Sequence, residues 1–415
     1  MADEVLTLAE GEYRGEVKDG SIPEGNGVLR YTNGDVYAGA FSDGRPHGYG
    51  KCIYAGGAVY EGQWQDGVRA GEGRETRSGS IYFGGFADGH RAGYGVIHWA
   101  DGARFQGAFS DGGRNGHGVM KYADGGHYEG GWRNDRRHGT GKCMYKSGSS
   151  YEGAWEDDRP QGLGVYRFKS GGVYEGEMLD GNFCGHGVMK YADGGRYEGG
   201  WQNDRRHGTG RMEYPDGGVY EGEWQTGRRS GKGTHRFAGG ASYEGDWRED
   251  APNGRGVYLY ADGGRYEGEI AAWKFHGQGV RLYPNGARYE GEWQNGNLHG
   301  TGTMHYADGA RYEGRWQNGK LHGTGTLHYA GGACYEGGWK EGVCHGRGRA
   351  LFADGTTYEG EWQNGKRHGY GICVMSEGTV YEGEWQGGKY HGYGKEVAPD
   401  GTVREGEWQE GEFVG

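Results

Sequence analysis

The 415-residue sequence is poor in several things at once. Only 7 residues are proline, and its 98 glycines follow no Gly-X-Y period, so a collagen-type triple helix is excluded. Its six cysteines (Cys52, Cys143, Cys184, Cys334, Cys344 and Cys373) include no CxxC pair, and no N-x-[ST] sequon occurs. Both absences point to a reducing, intracellular setting. Basic charge is not in excess: 46 Lys and Arg stand against 58 Asp and Glu, a net charge of −12, so nucleic acid is not expected as a partner. No run approaches the ~18 apolar residues of a membrane span. The start, MADEVLTLAE, is acidic and lacks the apolar centre of a signal peptide. A soluble chain is expected. Hydrophobic residues make up 33%, below the usual range of about 45–50%, so a large aliphatic core is not expected either.

Glycine and aromatic rings are what the chain has in quantity. With 33 Tyr, 14 Trp and 11 Phe it carries too many rings for a disordered segment. The buried surface should consist of aromatic side chains packed on glycine. These residues recur. A Tyr-x-Gly or its variant begins at Tyr13, Tyr37, Tyr60, Tyr82, Phe105, Tyr128, Tyr151, Tyr174, Tyr197, Tyr220, Tyr243, Tyr266, Tyr289, Tyr312, Tyr335, Tyr358, Tyr381 and Arg404. The first spacings are 24, 23 and 22 residues and every later one is 23, giving seventeen full units and a truncated eighteenth. Such a period marks a repeat architecture. The stretch from Gly118 to Tyr151 is echoed from Gly187 to Tyr220, three units later, which suggests duplication in blocks.

One unit reads YEGEWQNGNLHGTGTMHYADGAR, from Tyr289 to Arg311. With its first Tyr as position 0, Trp occupies +4 in twelve units, Gly-x-Gly falls at +11 and +13, an aromatic at +17, and Asp-Gly follows. YEGEW and HGTGTMHY both alternate with period 2, as strands with one wet face do. Asn-Gly and Asp-Gly lie between them, where turns need positive φ. Each unit therefore reads as a hairpin. The simplest register with one apolar face pairs +4 with +11 inside a unit, and +13 with the +4 of the next. It would place Trp316 between Gly323 and Gly302, glycine making room for the indole, and set Tyr306 opposite Tyr312. A lone hairpin is marginal in water, so neighbouring units must stabilise one another.

The stretches Tyr312 to Gly325, Tyr358 to Gly371 and Tyr381 to Gly394 resemble the MORN repeat, and the resemblance covers nearly the whole chain. It implies an all-β fold: an elongated, solenoid-like, single-layer antiparallel sheet of about 17 stacked β-hairpins plus a terminal half-repeat. The expected organisation is an irregular N-terminal capping repeat at 1–36, the repeat array at 37–403 and a C-terminal half-repeat at 404–415. The resemblance also implies a non-catalytic role, as in radial-spoke heads, protozoan cytoskeletal scaffolds and junctional membrane tethers. Departures occur at Val17, Met178, Ile270 and Arg404, and Arg77 stands at one +17. The twelfth unit, EIAAWKFHG, also carries Trp273 where Gly is expected, which reads as a bend or a partner contact.

Candidate chemistry mostly falls away. Nine of the seventeen histidines lie at +10, six of them in consecutive units from His276 to His391. Equivalent positions two strands apart are ~9.6 Å from each other. Zinc needs ligands near ~2.1 Å, so a turn role fits better. No P-loop, dinucleotide fingerprint, GxSxG or HExxH occurs, and no cofactor or metal is expected. Cys334 and Cys344 sit ten apart across one hairpin and could approach each other, although two reduced thiols fit better. The recurrent glutamates at +1 and +3 read as solvent-face residues. The residues assigned to partner binding are an aromatic ladder of Trp132, Trp155, Trp201, Trp224, Trp247, Trp293, Trp316, Trp339, Trp362 and Trp385, with Trp408 at a C-terminal edge suited to pairing with another chain or a second copy. Arg136, Arg137, Arg205 and Arg206 are weaker candidates for anionic lipid, since Asp135 and Asp204 adjoin them and no longer basic block is present. The expected function is a non-enzymatic cytoskeletal scaffold, in a cilium or flagellum, that binds axonemal proteins. The alternative is a phosphoinositide-binding membrane tether.

Overall fold

A computed structural model describes residues 4–415, which fall into two compact units, one ending at Arg206 and one running from His207 to Gly415. Among the described residues there are 37 β-strands and no helix. In each unit the strands pair antiparallel with their sequence neighbours, so each is an open ladder of hairpins.

The thirteenth hairpin shows how residues dictate this form. Its strands are Arg288–Gln294 and Asn297–His305. Asn295 and Gly296 join them with φ of 51° and 87°, the left-handed pair of a type I′ turn. The return to the next hairpin is a wider turn. Gly309 N–H donates to Tyr306 O at 3.1 Å, Tyr306 N–H donates to Ala310 O at 2.8 Å, and the Asp308 carboxylate accepts from Ala310 N–H at 3.0 Å. Tyr306 thus belongs to the turn and does not face Tyr312, whose partner is Met304.

The register differs from the simplest one by a bulge. Within the hairpin Tyr289 faces Met304 and Gly291 faces Gly302, but Trp293 then faces Leu298. Across hairpins Gly300 faces Trp316 and Gly302 faces Gly314. Position +4 therefore pairs with +9 in its own unit and with +11 of the previous one, in place of +11 and +13. Inside the unit the cause is local: His299, Gly300 and Thr301 stand opposite Glu292 alone, and Gly300 sits at φ 57°, which only glycine adopts readily. Between units the ladder is unbroken and the return turn around Tyr306 sets the shift. Glu292 closes the bulge by accepting from Thr301 N–H at 2.9 Å. Glu177, Glu223, Asp246 and Glu269 do the same in their hairpins. The acid at +3 is thus a structural acceptor as well as a wet-face residue.

One face of each ladder is aromatic. The tyrosine at position 0 lies over the facing glycine pair: a Cβ on Gly302 would stand 2.2 Å from the Tyr289 hydroxyl. The glycines at +2 and +13 therefore make room for the phenol, not the indole. All sixteen tyrosines at position 0 donate their hydroxyl to the carbonyl at +3. All twelve tryptophans at +4 donate Nε1–H to the +13 carbonyl of the preceding hairpin. Trp316 meets Tyr312 and Tyr289 edge-on at 5.1 and 5.6 Å, so the rings alternate along the ladder. Each such pair contributes about 0.5–1.5 kcal/mol beyond its burial.

Candidate functional site

The tryptophans of the expected partner-binding ladder are interior. Trp132, Trp155, Trp201, Trp224, Trp247, Trp293, Trp316, Trp339, Trp362, Trp385 and Trp408 retain between 3% and 7% of their surface. The residue at +9 covers them. It is apolar in Leu298, Leu321 and Phe275 and cationic in Arg114, Arg137, Arg229 and Arg367. The Arg137 guanidinium lies 4.2 Å from the Trp155 ring centre and its Nε donates to Asp158 at 3.0 Å. Arg206 lies over Tyr197 at 5.8 Å. The second member of each doublet is thus committed to the aromatic face. Arg136 and Arg205 are exposed, and Arg136 approaches Asp157 at 3.9 Å.

Trp408 lies in the strand Val403–Gln409, where it faces Phe413 while Gln409 faces Glu412. Glu407 N–H donates to Gly415 O at 2.9 Å, so the final residues cover part of that edge. Trp273 has φ 68° in a turn position and its ring packs 5.7 Å from Trp247 and 5.8 Å from Phe237. It lies back over the preceding hairpins, an indole displaced from the +4 place held by Ile270. Cys334 and Cys344 are not partners: Cys334 faces Leu351 and Cys344 faces Trp339 on the opposite side of the sheet. The Nδ1 atoms of His138, His207, His299, His322, His345 and His391 are shielded and make no hydrogen bond. Among the described residues no three His, Cys, Asp or Glu side chains gather as metal ligands. His235 is held far from its ordinary range: burial and the adjoining Arg229 push it down to about 4.

The other face carries what the sequence reading left unassigned. In the second unit a groove of 820 Å³ runs across seven strands, from Glu221 to Gly291. Its floor is glycine backbone (Gly233, Gly245, Gly256 and their neighbours) and one wall is the row Glu221, Thr234, Glu244, Val257, Glu267, Val280 and Glu290. Register makes that row continuous, each member facing the next across a strand pair. Glutamates thus recur every ~9.6 Å. Lys232, Arg255 and Gln278 line the groove as well. Arg211 and Arg236 pair with Glu221, Arg265 with Glu267, and Arg288 with Glu290, so the row is partly neutralised. The period-2 alternation with glycine at +2 and +13 was the available signal for this floor. The wall's continuity depends on the register between hairpins, which sets Thr234 opposite Glu244.

These features define a class: an open antiparallel array in which one 23-residue hairpin repeats, with buried rings on one face and a charged, grooved surface on the other. The sequence pattern of the MORN repeat matches seventeen consecutive stretches from residues 13–36 to 381–403, and the chain belongs to that family. No curated protein sequence matches significantly. Among solved structures, the TCP10 domain of Danio rerio CPAP in complex with a STIL peptide is similar at 10% identity and a TM-score of 0.19, over 71% of this chain and 96% of that one. The SAS-4 TCP domain of Drosophila melanogaster, in complex with a proline-rich motif of Ana2, gives 12%, 0.20, 48% and 90%. Virginiamycin B lyase from Staphylococcus aureus gives 14%, 0.12, 61% and 86%. Scores this low carry no argument about function.

Proposed function

We propose that the protein is a non-catalytic scaffold of the cytoskeleton, in a cilium or flagellum, whose second unit docks an extended segment of a structural partner in the glycine-floored groove. The membership of a repeat-scaffold family supports the general role. The groove itself carries the specific one. Seven strands span ~29 Å, the length of about nine extended residues, and the Cβ positions of the floor glycines point to the tyrosine face, so the floor is bare backbone that a partner chain can approach. The assignment to a cilium or flagellum and to axonemal partners rests on resemblance to radial-spoke and protozoan cytoskeletal relatives. Pairing of a second copy along Val403–Glu405 belongs to the same reading. A lipid tether has less support, because Arg137 is ion-paired and stacked on Trp155.

Two measurements test it. A copy tagged in its native cell should stay with the detergent-extracted cytoskeleton, and release with the membrane fraction would refute the placement. Changing Glu244 and Glu267 to Arg should abolish capture of the cytoskeletal partner without altering circular dichroism. Undiminished capture would reject the groove.

A further inference from the structure

Three hairpins contain the same small device on the aromatic face. Arg114, Arg137 and Arg229 occupy +9, and each guanidinium lies over the indole of the following hairpin, at 4.2 Å from Trp132, 4.2 Å from Trp155 and 4.4 Å from Trp247. In each case the turn of that following hairpin carries Asp where most units have glycine, at φ 65°, 70° and 69° for Asp135, Asp158 and Asp250. The Nε–H of the arginine donates to the carboxylate of this Asp at 2.8, 3.0 and 3.2 Å, and Nη2–H donates to its backbone carbonyl at 2.8 Å in all three. The backbone N–H of the arginine also donates to the same carboxylate oxygen, at 3.0 Å each time. An Asp at positive φ is strained backbone, and here it is matched to a guanidinium.

A fourth hairpin has the Asp without the arginine. Asp204 sits in the same turn position at φ 63°, and its carboxylate accepts from the Phe183 N–H at 2.8 Å, so it is held as its three counterparts are. The side chain at +9 is now Phe183. Its ring stacks 3.8 Å from Tyr174 and stays 5.7 Å from Trp201. The guanidinium of Arg137 has the reverse preference, 5.7 Å from Tyr128 and 4.2 Å from Trp155. Phe183 therefore fills the part of the slot over the tyrosine and leaves the part over the indole. A cavity of 490 Å³ opens there, lined by Tyr166, Phe168, Met189, Tyr191, Trp201 and Asp204. Among the described residues no Lys or Arg forms an ion pair with Asp204. Trp201 keeps 7% of its surface, against 3–5% for the three indoles beneath an arginine.

We propose that this slot receives the guanidinium of an arginine side chain presented by a partner polypeptide. The class of occupant follows from the counterparts: a planar cation that stacks on an indole while its fork reaches a carboxylate and a carbonyl together, which ammonium cannot match. The site is distinct from the glycine-floored groove, and it stands or falls independently of that surface.

The full chain labelled with 15N at tryptophan provides the test, with N-acetyl-arginine amide as probe and Trp201→Phe to identify the Trp201 indole resonance. A saturable shift is expected at Trp201. It should weaken by about tenfold or more in Asp204→Asn, which keeps a residue tolerant of positive φ. It should vanish in Phe183→Arg, which supplies the chain's own guanidinium as three other hairpins already do. N-acetyl-citrulline amide, uncharged but of the same shape, should not bind. Absence of any Trp201 shift, or a shift that persists in folded Phe183→Arg, overturns the proposal. Tighter binding of N-acetyl-trimethyllysine amide overturns arginine as the occupant, and tighter binding of free arginine overturns a polypeptide source.

Discussion

Replacing Gly302 by alanine isolates the contact on which the aromatic face depends. The added Cβ would lie 2.2 Å from the Tyr289 hydroxyl and 2.5 Å from Cζ, so the phenol must move. It has little room: Tyr289 is fully buried and wedged against Trp293 and Trp316 at 5.2 and 5.6 Å. Overpacking of this kind costs about 1–3 kcal/mol. Displacing the ring also breaks the hydrogen bond to the Glu292 carbonyl, for about another 1–3 kcal/mol. The expected loss is therefore ~4 kcal/mol. Gly296→Ala meets nothing within 4 Å but sits at φ 87°, so only backbone strain of about 1 kcal/mol applies. Gly331→Ala meets nothing and needs no positive φ, and should be neutral. Repeat arrays do not unfold in one step, so the readout is local amide exchange over Tyr289 to Trp316, measured against distant hairpins. Equal protection in Gly302→Ala and Gly331→Ala would refute the account of the glycine pairs.

Alkaline pH should dismantle the array steeply. Burial raises Tyr60, Tyr82, Tyr151 and Tyr312 to about 12, so the folded chain holds protons that the unfolded chain releases from pH 10 upward. Each such phenol then removes about 1.4 kcal/mol per pH unit between 10 and 12. Tyrosinate absorbance should rise together with loss of circular dichroism, and independent titration of the phenols at pH 10 would refute this. Acid acts more locally. His235 lies 3.0 Å from Arg229 and is stacked on Phe237, with Asp216 the nearby opposing charge. Its folded value near 4 lies below the ordinary 6.5, so stability present above 6.5 is lost as pH falls toward 4, by roughly 2–3 kcal/mol. Exchange around Tyr220 to Trp247 should show that dependence and His235→Phe should abolish it, while an unchanged slope in the variant counts against the assignment. Trp316→Phe keeps a ring but removes the donor to Gly302 O, and a loss of about 1–3 kcal/mol at the junction with the preceding hairpin is expected by the same exchange measurement. Loss confined to the variant's own hairpin would contradict the bridging role.

Period, strand pairing and turn chemistry were legible in the residues because alternation, Asn-Gly and ring spacing are local signals. The register was not. Pairing +4 with +11 is the simplest solution for an unbroken ladder, and nothing in the pattern alone announces that Gly300 adopts φ 57° and lets three residues stand opposite Glu292. From the bulge follows the acceptor role of Glu292, while the return turn, closed by Tyr306 N–H donating to Ala310 O, takes Tyr306 out of the ladder and away from Tyr312. The site was less legible for a related reason. Aromatic rings on one face suggested a surface for partners, yet Trp132 and its equivalents are covered by +9 side chains from the preceding hairpin. That covering needs the true register to be seen. The open slot at Asp204 becomes visible only when Phe183 is compared with three arginines in place.

The two hydrogen bonds of each ring pair point in different directions. A phenol is satisfied within its own strand, whereas an indole always reaches back to the hairpin before it. The array consequently has a sense. Removing a unit from the leading side strands an indole without its acceptor, while removing one from the trailing side frees only a carbonyl that water can satisfy. Growth by whole 23-residue modules should thus be easier at the trailing side, and chimaeras joined in phase there should fold where out-of-phase joins do not.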